Sequence, residues 1–339
     1  MEVQMGDDYT ALAEIYGYKD SDRFKKILKI LIDEEQIKLI NLMPATIDDL
    51  AQKTGISAET IKPMVDDLFT KGVVFESSKG YRPARHIFQL HDSTGSDTRS
   101  DQKFGRKLLD AWMDFSENEM FRDTAKWVLN FPKPFSRVVP ALSSFAQKPK
   151  LAEGEDLESV IDHAIRIAVV QCPCRRMAQK CDRPLEVCLQ LNKGAEYAIK
   201  RGSGKEISPE DAKKILKVAS EAGLVHTVEN VPQAGTYICN CCPDCCVLLY
   251  PWLTYGNLDK GLAKSRFEAK VDEESCSGCQ DCIEQCPFSA IEMTKVPGQK
   301  KLKAKVDPGK CYGCGCCAVN CLTESIKLYE VRPLESLAA

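Results

Sequence analysis

The chain is short of several things, and each shortage removes a class of function. No apolar run reaches the roughly 18 residues that would cross a bilayer, so no membrane span is expected. The opening residues 1–20 hold no basic stretch followed by an apolar one, so no secretory signal is read there. Formal net charge is only −3 over 339 residues, which argues against a molecule built as a whole to bind a polyanion. Histidine occurs four times, at His86, His91, His163 and His226. His226 falls in an expected strand and reads as a satisfied core residue. No G-x-G-x-x-G follows a strand, so dinucleotide binding is unsupported. Gly202-Ser-Gly-Lys205 has part of a phosphate loop, but its first glycine is missing and Glu206 stands where Ser or Thr is needed, so it reads as a turn. No Cys/His nucleophile pair and no paired carboxylates stand out. A cytoplasmic protein without an evident site for organic chemistry is the expectation.

Cysteine, by contrast, is abundant, with 18 residues. Many are separated by only one to three residues, a spacing that rarely meets disulfide geometry and points instead to metal in a reducing compartment. The last quarter of the chain carries one pattern twice, offset by 35 residues: Cys276-x2-Cys279-x2-Cys282-x3-Cys286-Pro287, then Cys311-x2-Cys314-x2-Cys317-x3-Cys321. Val271 and Val306, Asp272 and Asp307, and Ile291 and Ile326 keep the same offset. Four thiolates at this spacing match what a [4Fe-4S] cube needs. Zinc sites use two CxxC pairs parted by a longer loop, which fits poorly. Gly278, Gly313 and Gly315 would let backbone amides approach the inorganic sulfides.

On these motifs, residues 265–330 resemble the bacterial two-[4Fe-4S] ferredoxins. The resemblance implies that the fourth cysteine of each run serves the other cluster. Cys276, Cys279, Cys282 and Cys321 would then hold one cube, and Cys311, Cys314, Cys317 and Cys286 the second. Two departures stand out: Leu322 follows Cys321 where the family has proline, and Cys316 is an additional cysteine that reads as a packed thiol.

Nine further cysteines lie upstream. Cys172-Pro-Cys174-Arg-Arg precedes Cys181 and Cys188, and Cys239-Asn-Cys241-Cys242-Pro-Asp-Cys245-Cys246 follows. Both groups adjoin expected strands and could converge at one sheet edge. Similar segments accompany ferredoxin domains in proteins of anaerobic bacteria. Thiolate ligands suit Fe–S, zinc or Cu(I); the adjoining ferredoxin-type repeat favours one or two additional Fe–S clusters, which would extend the electron path, with structural zinc and free or disulfide-forming thiols as the alternatives. Which four cysteines would share a metal is not set by spacing. Arg175 and Arg176 could stabilise a reduced cluster or draw an acidic partner, or be a solvated pair or form salt bridges.

The N-terminal third has no cysteine over 21–92. Apolar spacing predicts a helix from Asp22 to Ile32; Thr46 and Gly55 bracket a second; Ser57 caps a third running to about Thr70. Gly72–Phe75 and Gly80-Tyr81 read as strands around a polar tip. This order resembles the winged helix-turn-helix modules of bacterial regulators. Thr46–Lys71 carries five acids and three lysines and offers neither Arg nor Asn, so docking is favoured over DNA reading. Residues 93–105 read as a polar loop, and Lys107–Leu129 as a helix ending at Phe131-Pro-Lys-Pro-Phe135, with its aromatic residues taken as core. In the centre, a helix over Asp156–Ala164, strands over Ile165–Val170, Leu224–Val228 and Thr236–Cys239, and a Ser208-capped helix over Pro209–Ala222 are expected.

The expected fold is therefore α+β and multidomain: a winged-helix-like module (21–92), a helical connector (93–150), a Cys-rich α/β unit (151–256) and a ferredoxin-type dicluster domain (265–330). The expected function is an iron–sulfur electron carrier with two [4Fe-4S] clusters, a subunit or partner of a cytoplasmic oxidoreductase rather than a stand-alone enzyme, working with a redox partner protein. A cluster-dependent DNA-binding regulator and a reductase with a catalytic central cluster are the alternatives.

Overall fold

A computed structural model describes residues 8–334 apart from 148, 153 and 232–234. The chain forms two compact units. One comprises the residues up to Met120 with Gln171–Gln179 and Tyr197–Lys205; the other comprises Phe121–Val170, Lys180–Glu196 and the residues from Glu206 onward. The boundary at Met120 falls inside the stretch expected to be a helical connector, and the remaining boundaries fall inside the expected Cys-rich unit.

In the first unit, local capping chemistry sets the helix ends. Ser21 Oγ accepts the Phe24 amide at 3.0 Å and opens the helix Asp22–Leu31, which buries Phe24, Ile27, Leu28 and Leu31. Thr46 and Asp49 form a reciprocal capping box on Ile47–Thr54, and Gly55 ends that helix at φ 73°. Ser57 caps Ala58–Thr70. Strands β1 (Val74–Ser77) and β2 (Gly80–Pro83) follow as an antiparallel hairpin; β1 starts two residues later than the sequence pattern placed it, and β2 starts at the expected Gly80 and runs two residues further. Phe24, Trp112 and Phe115 lie at the centre of this unit, the first and last 5.2 Å apart between ring centroids. The Trp112 indole donates to Thr94 Oγ1 at 3.0 Å.

The polar stretch 93–105 is not a loop. The helix Ile87–Gly95 runs into it and a second helix occupies Arg99–Phe104. One contact within the stretch and one to a residue elsewhere in the unit outweigh its Gly/Ser composition. Asp97 Oδ1 accepts from the Arg99 amide and side chain at 3.1 and 2.8 Å. Both Asp101 oxygens take Arg176 Nη2 at 2.7 and 2.6 Å. Arg176 is thus a buried structural ion-pair partner. Lys107–Leu129 stays helical, but in pieces: Lys107–Phe115, a π turn at Ser116–Met120, Phe121–Trp127 and a short 3-10 turn.

The second unit holds β3 (Ser136–Val139), β4 (Ile167–Val170), β5 (Cys188–Leu191), β6 (Lys205–Glu206, where the two units meet along the chain), β7 (Val225–Glu229), β8 (Tyr237–Cys241) and β9 (Leu262–Ala263). They order as β6-β4-β5-β8-β7-β3-β9 in one sheet. Pairing is antiparallel from β4 through β3, and β3–β9 is parallel. β3 comes from the stretch expected to be helical. The Ser208-capped helix Pro209–Glu221 lays Ala212 and Leu216 against Val139, Ile167, Leu189 and Ile238 of the sheet. Buried His226 on β7 contacts Ser220 Oγ through Nε2 at 2.7 Å and Asn240 Oδ1 through Nδ1, as a satisfied core residue should.

Four more strands complete the unit: β10 (Phe267–Val271), β11 (Ile291–Thr294), β12 (Lys303–Val306) and β13 (Ile326–Glu330). β10 pairs with β13 and β11 with β12, both antiparallel. Their ends show the internal duplication. Val271 faces Ile326 while Ile291 faces Val306, and the Asp272 amide reaches Ser325 O at 2.8 Å while the Asp307 amide reaches Ala290 O at 2.7 Å. Each repeat therefore lends one strand to the other. Arg266, just before β10, is fully buried and places Nε 3.0 and 2.9 Å from the two oxygens of buried Glu155, with Glu330 and the Lys150 carbonyl also bonded.

Candidate metal centres

The strand exchange carries the cysteines with it. One small cavity is lined by Cys276, Cys279 and Cys282 from the first loop and by Cys321 from the second repeat. Met293, Ala304 and Ile326 wall it with apolar surface. Its counterpart is lined by Cys311, Cys314 and Cys317 together with Cys286. Phe288, Ile291, Val306, Tyr312 and Leu328 surround that one.

Both loops bend tightly at glycine. Gly278, Gly313 and Gly315 have φ of 71, 67 and 85°, where a side chain is strained. A Cβ at Gly278 would meet Leu302 O at 2.4 Å, and one at Gly313 would meet Phe267 O at 2.1 Å. The helical turns Asp281–Glu284 and Cys316–Val319 start inside these loops and carry Cys282 and Cys317 inward. Lys303 on β12 donates its ammonium to the Cys276 carbonyl, pinning the first loop to the neighbouring hairpin.

The two cavities differ in wetness. Cys311, Cys314 and Cys317 are all buried, whereas Cys279 is exposed and Cys321 is half-buried. Burial, followed by the nearby Cys279 and Cys276 sulfurs, pushes the Cys282 thiol up to about 11. Burial likewise raises Cys286, Cys311 and Cys317. Cys321 is also partly desolvated, but hydrogen bonds from Ser325 and Thr323 outweigh that and hold it low; its Sγ lies 3.3 Å from Ser325 Oγ. At the equivalent place in the other repeat, the Ala290 amide reaches Cys286 Sγ at 3.3 Å. Cys316 is a buried thiol hydrogen-bonded to Cys314, an arrangement that lowers Cys314 and raises Cys316.

Thiols desolvated to this degree resist ionisation unless a cation meets them, so the donor set suits a metal centre. Among the described residues, no three of these eight sulfurs lie within 4.8 Å of one another. That spread suits a polynuclear group, in which each thiolate holds a different iron, better than one shared ion. Residues 275–325 match the 4Fe-4S dicluster domain family. The match runs from just before Cys276 to just past Cys321, the segment whose motifs resemble the two-cluster ferredoxins. No curated protein matches the chain. Among the described residues, no helix is long and apolar enough to cross a membrane.

The nine upstream cysteines are distributed over both units. Cys172 opens the helix Pro173–Ala178 and Cys174 lies within it, both in the first unit. There Cys174, His91 and Asp92 offer ligand atoms within 4.8 Å of one another, and His91 Nδ1 is 2.8 Å from Asp92 Oδ1.

The other seven lie in the second unit. Cys181 Sγ is 3.9 Å from Cys242 Sγ and 3.7 Å from Cys245 Sγ, with the Asp244 carboxylate alongside. The Cys239 thiol hydrogen-bonds to Cys188 and Cys241, and Cys241 is 3.5 Å from Cys246. Cys188 opens β5, while Cys239 and Cys241 lie within β8 on one face rather than in a loop beyond it. Asp244 and Arg183, which interact at 3.2 Å beside the first of these sets, were not among the residues singled out from sequence. The signal was present in Cys242-Pro-Asp-Cys245, a CxxC step with an acid inside it.

Proposed function

We propose that this protein is an iron–sulfur electron-transfer protein, a subunit or partner of a cytoplasmic oxidoreductase. In this reading Cys276, Cys279, Cys282 and Cys321 hold one [4Fe-4S] cluster, and Cys311, Cys314, Cys317 and Cys286 hold the other. The observation that carries it is the pair of thiol-lined cavities, each with three sulfurs from one loop and one from the opposite repeat. Such clusters supply one-electron chemistry at potentials set by hydrogen bonding to sulfur and by exposure.

The protein's own residues divide the roles. Phe288, Ile291, Val306, Tyr312 and Leu328 give the cavity of Cys311, Cys314, Cys317 and Cys286 apolar walls. Exposed Cys279 gives the other cavity a ligand at the solvent face, where a redox partner protein would dock. Gly278 and Gly313 keep room at the loops that a side chain would fill.

The order of helices and the β1–β2 hairpin in the first unit support a winged-helix-like docking module. Two lysines of its would-be recognition segment are already engaged: Lys62 with Asp66 at 2.6 Å, and Lys71 with Asp67. They are poorly disposed toward phosphate, which favours protein docking over DNA reading.

The test is anaerobic reconstitution with iron and sulfide, followed by metal analysis and low-temperature electron paramagnetic resonance of the reduced protein. About eight irons in two interacting cubic centres per chain are expected from the eight ligands. Clearly fewer irons, or zinc in their place, refutes the proposal.

A further inference from the structure

The set Cys181, Cys242 and Cys245 differs in geometry from the eight C-terminal thiols. Its Sγ separations from Cys181 are 3.9 Å to Cys242 and 3.7 Å to Cys245. Thiolates that share one tetrahedral zinc at about 2.3 Å stand about 3.8 Å apart, because a tetrahedron's edge is about 1.6 times its bond. The thiolates of a cube bind different irons and stand wider. The C-terminal sulfurs of this same molecule do so, since no three of them approach within 4.8 Å.

A fourth donor is in place. The Asp244 carboxylate lies within 4.8 Å of all three sulfurs. Its Oδ2 takes Arg183 Nη1 at 3.2 Å, while its Oδ1 is buried and has no hydrogen-bond partner. A buried carboxylate oxygen left in that state is costly unless a cation meets it. Arg183 also hydrogen-bonds the Cys181 sulfur and is itself anchored on the Ala222 carbonyl at 3.2 Å, so it orients two donors from outside. Cys242-x2-Cys245 is the chelating step that zinc sites favour.

We propose that Cys181, Cys242, Cys245 and Asp244 form a closed, mononuclear zinc site that is structural and stands outside the electron path. Binding one Zn2+ releases three thiol protons to solvent and forms three Zn–S bonds and one Zn–O bond. With three thiolates, one carboxylate, Zn2+ and Arg183, the site carries one net negative charge. Cys188, Cys239, Cys241 and Cys246 form a separate thiol set that this ion does not use.

The experiment uses the full chain, purified anaerobically with its iron, and reads zinc, iron and sulfide separately. One zinc per chain is expected, and zinc-edge X-ray absorption should show three sulfurs at about 2.3 Å and one oxygen at about 2.0–2.2 Å. Cys245→Ser should remove the zinc and leave iron and sulfide unchanged. If that variant does not fold, the wild-type absorption spectrum decides alone. Absence of zinc in the wild type, a shell of four sulfurs, a shell without sulfur, or loss of iron in Cys245→Ser would each overturn the proposal. Iron and sulfide counts judge the ferredoxin-type reading on their own, so the two can fail separately.

Discussion

The sharpest prediction concerns which cysteines fail together. Cys279 and Cys286 are neighbours in sequence, seven residues apart, but line different cavities. Cys279 and Cys321 are 42 residues apart and line the same one. If each cavity holds one cube, removing two ligands from a single cavity abolishes one cluster. Cys279→Ala with Cys321→Ala should therefore lower the iron content by about four per chain. Cys279→Ala with Cys286→Ala should lower it by about eight, because each cavity loses a ligand. The difference between the two double variants cancels any iron bound elsewhere. The assay is iron and acid-labile sulfide on anaerobically reconstituted protein, with far-ultraviolet circular dichroism as the folding control. Cys279 is exposed and Cys286 half-buried, so neither truncation empties a large part of the core. A Cys279/Cys286 variant that loses only about four irons, while the Cys279/Cys321 variant loses about eight, would refute the exchange of ligands between repeats.

Other tests follow from single positions. Gly278→Ala should strain the first loop by at least the roughly 1–2 kcal/mol of a left-handed alanine, since φ is 71° and its Cβ would press on Leu302 O. Gly298→Ala, at φ 81° with open space around it, should cost only the backbone term and leave cluster assembly intact; equal iron loss in both variants would count against the steric argument. Glu155→Ala strips buried Arg266 of its main partner while Glu330 remains, so a loss near about 3 kcal/mol is expected in urea unfolding, the low end for a broken buried pair. An unchanged urea midpoint would show that Glu330 alone suffices. Burial holds His226 below its usual pKa, with the Asn240 contact offsetting part of the shift. The unfolded chain gains a proton as pH falls through about 6.5 and the folded chain does not until lower pH, so stability should fall across that interval by up to about 1.4 kcal/mol per pH unit. His226→Gln should remove this slope, measured as the change in unfolding midpoint between pH 7.5 and 5.5; an identical slope in the variant would exclude His226 as its source.

Local chemistry made much of the fold legible. Thr46, Ser57 and Ser208 each cap the helix their position announced, because a cap is a contact within a few residues; Ser21 caps a helix that only its apolar spacing announced. One reason the stretch 93–105 does not read as helical from sequence is that its bidentate ion pair joins Asp101 to Arg176, 75 positions away, and no window of sequence contains both. Strand β3 was missed for a related reason. Ser136–Val139 is only four residues long, and β7 fixes it as a strand from about 90 positions downstream. Cys188–Leu191 likewise becomes a strand only between its neighbours β4 and β8.

The same contrast explains why the C-terminal thiols could be read and the central ones could not. In residues 276–321 the spacing recurs, so the repeat itself announces which sulfurs are equivalent, and the strand pairs Val271–Ile326 and Ile291–Val306 keep that equivalence in space. The central cysteines have no internal repeat. Adjacent Cys241 and Cys242 show the difficulty: Cys241 ends a strand and faces Cys239 and Cys246, whereas Cys242 begins the turn after it and faces Cys181 and Cys245. Successive residues of an extended chain point to opposite sides, so two neighbouring thiols are driven into different sets by strand geometry alone. The partition of the seven second-unit thiols therefore depends on where β8 stops. A substitution that shifts the register of β8 by one residue would turn Cys239 and Cys241 to the opposite face of the sheet and break both thiol sets without altering a single ligand.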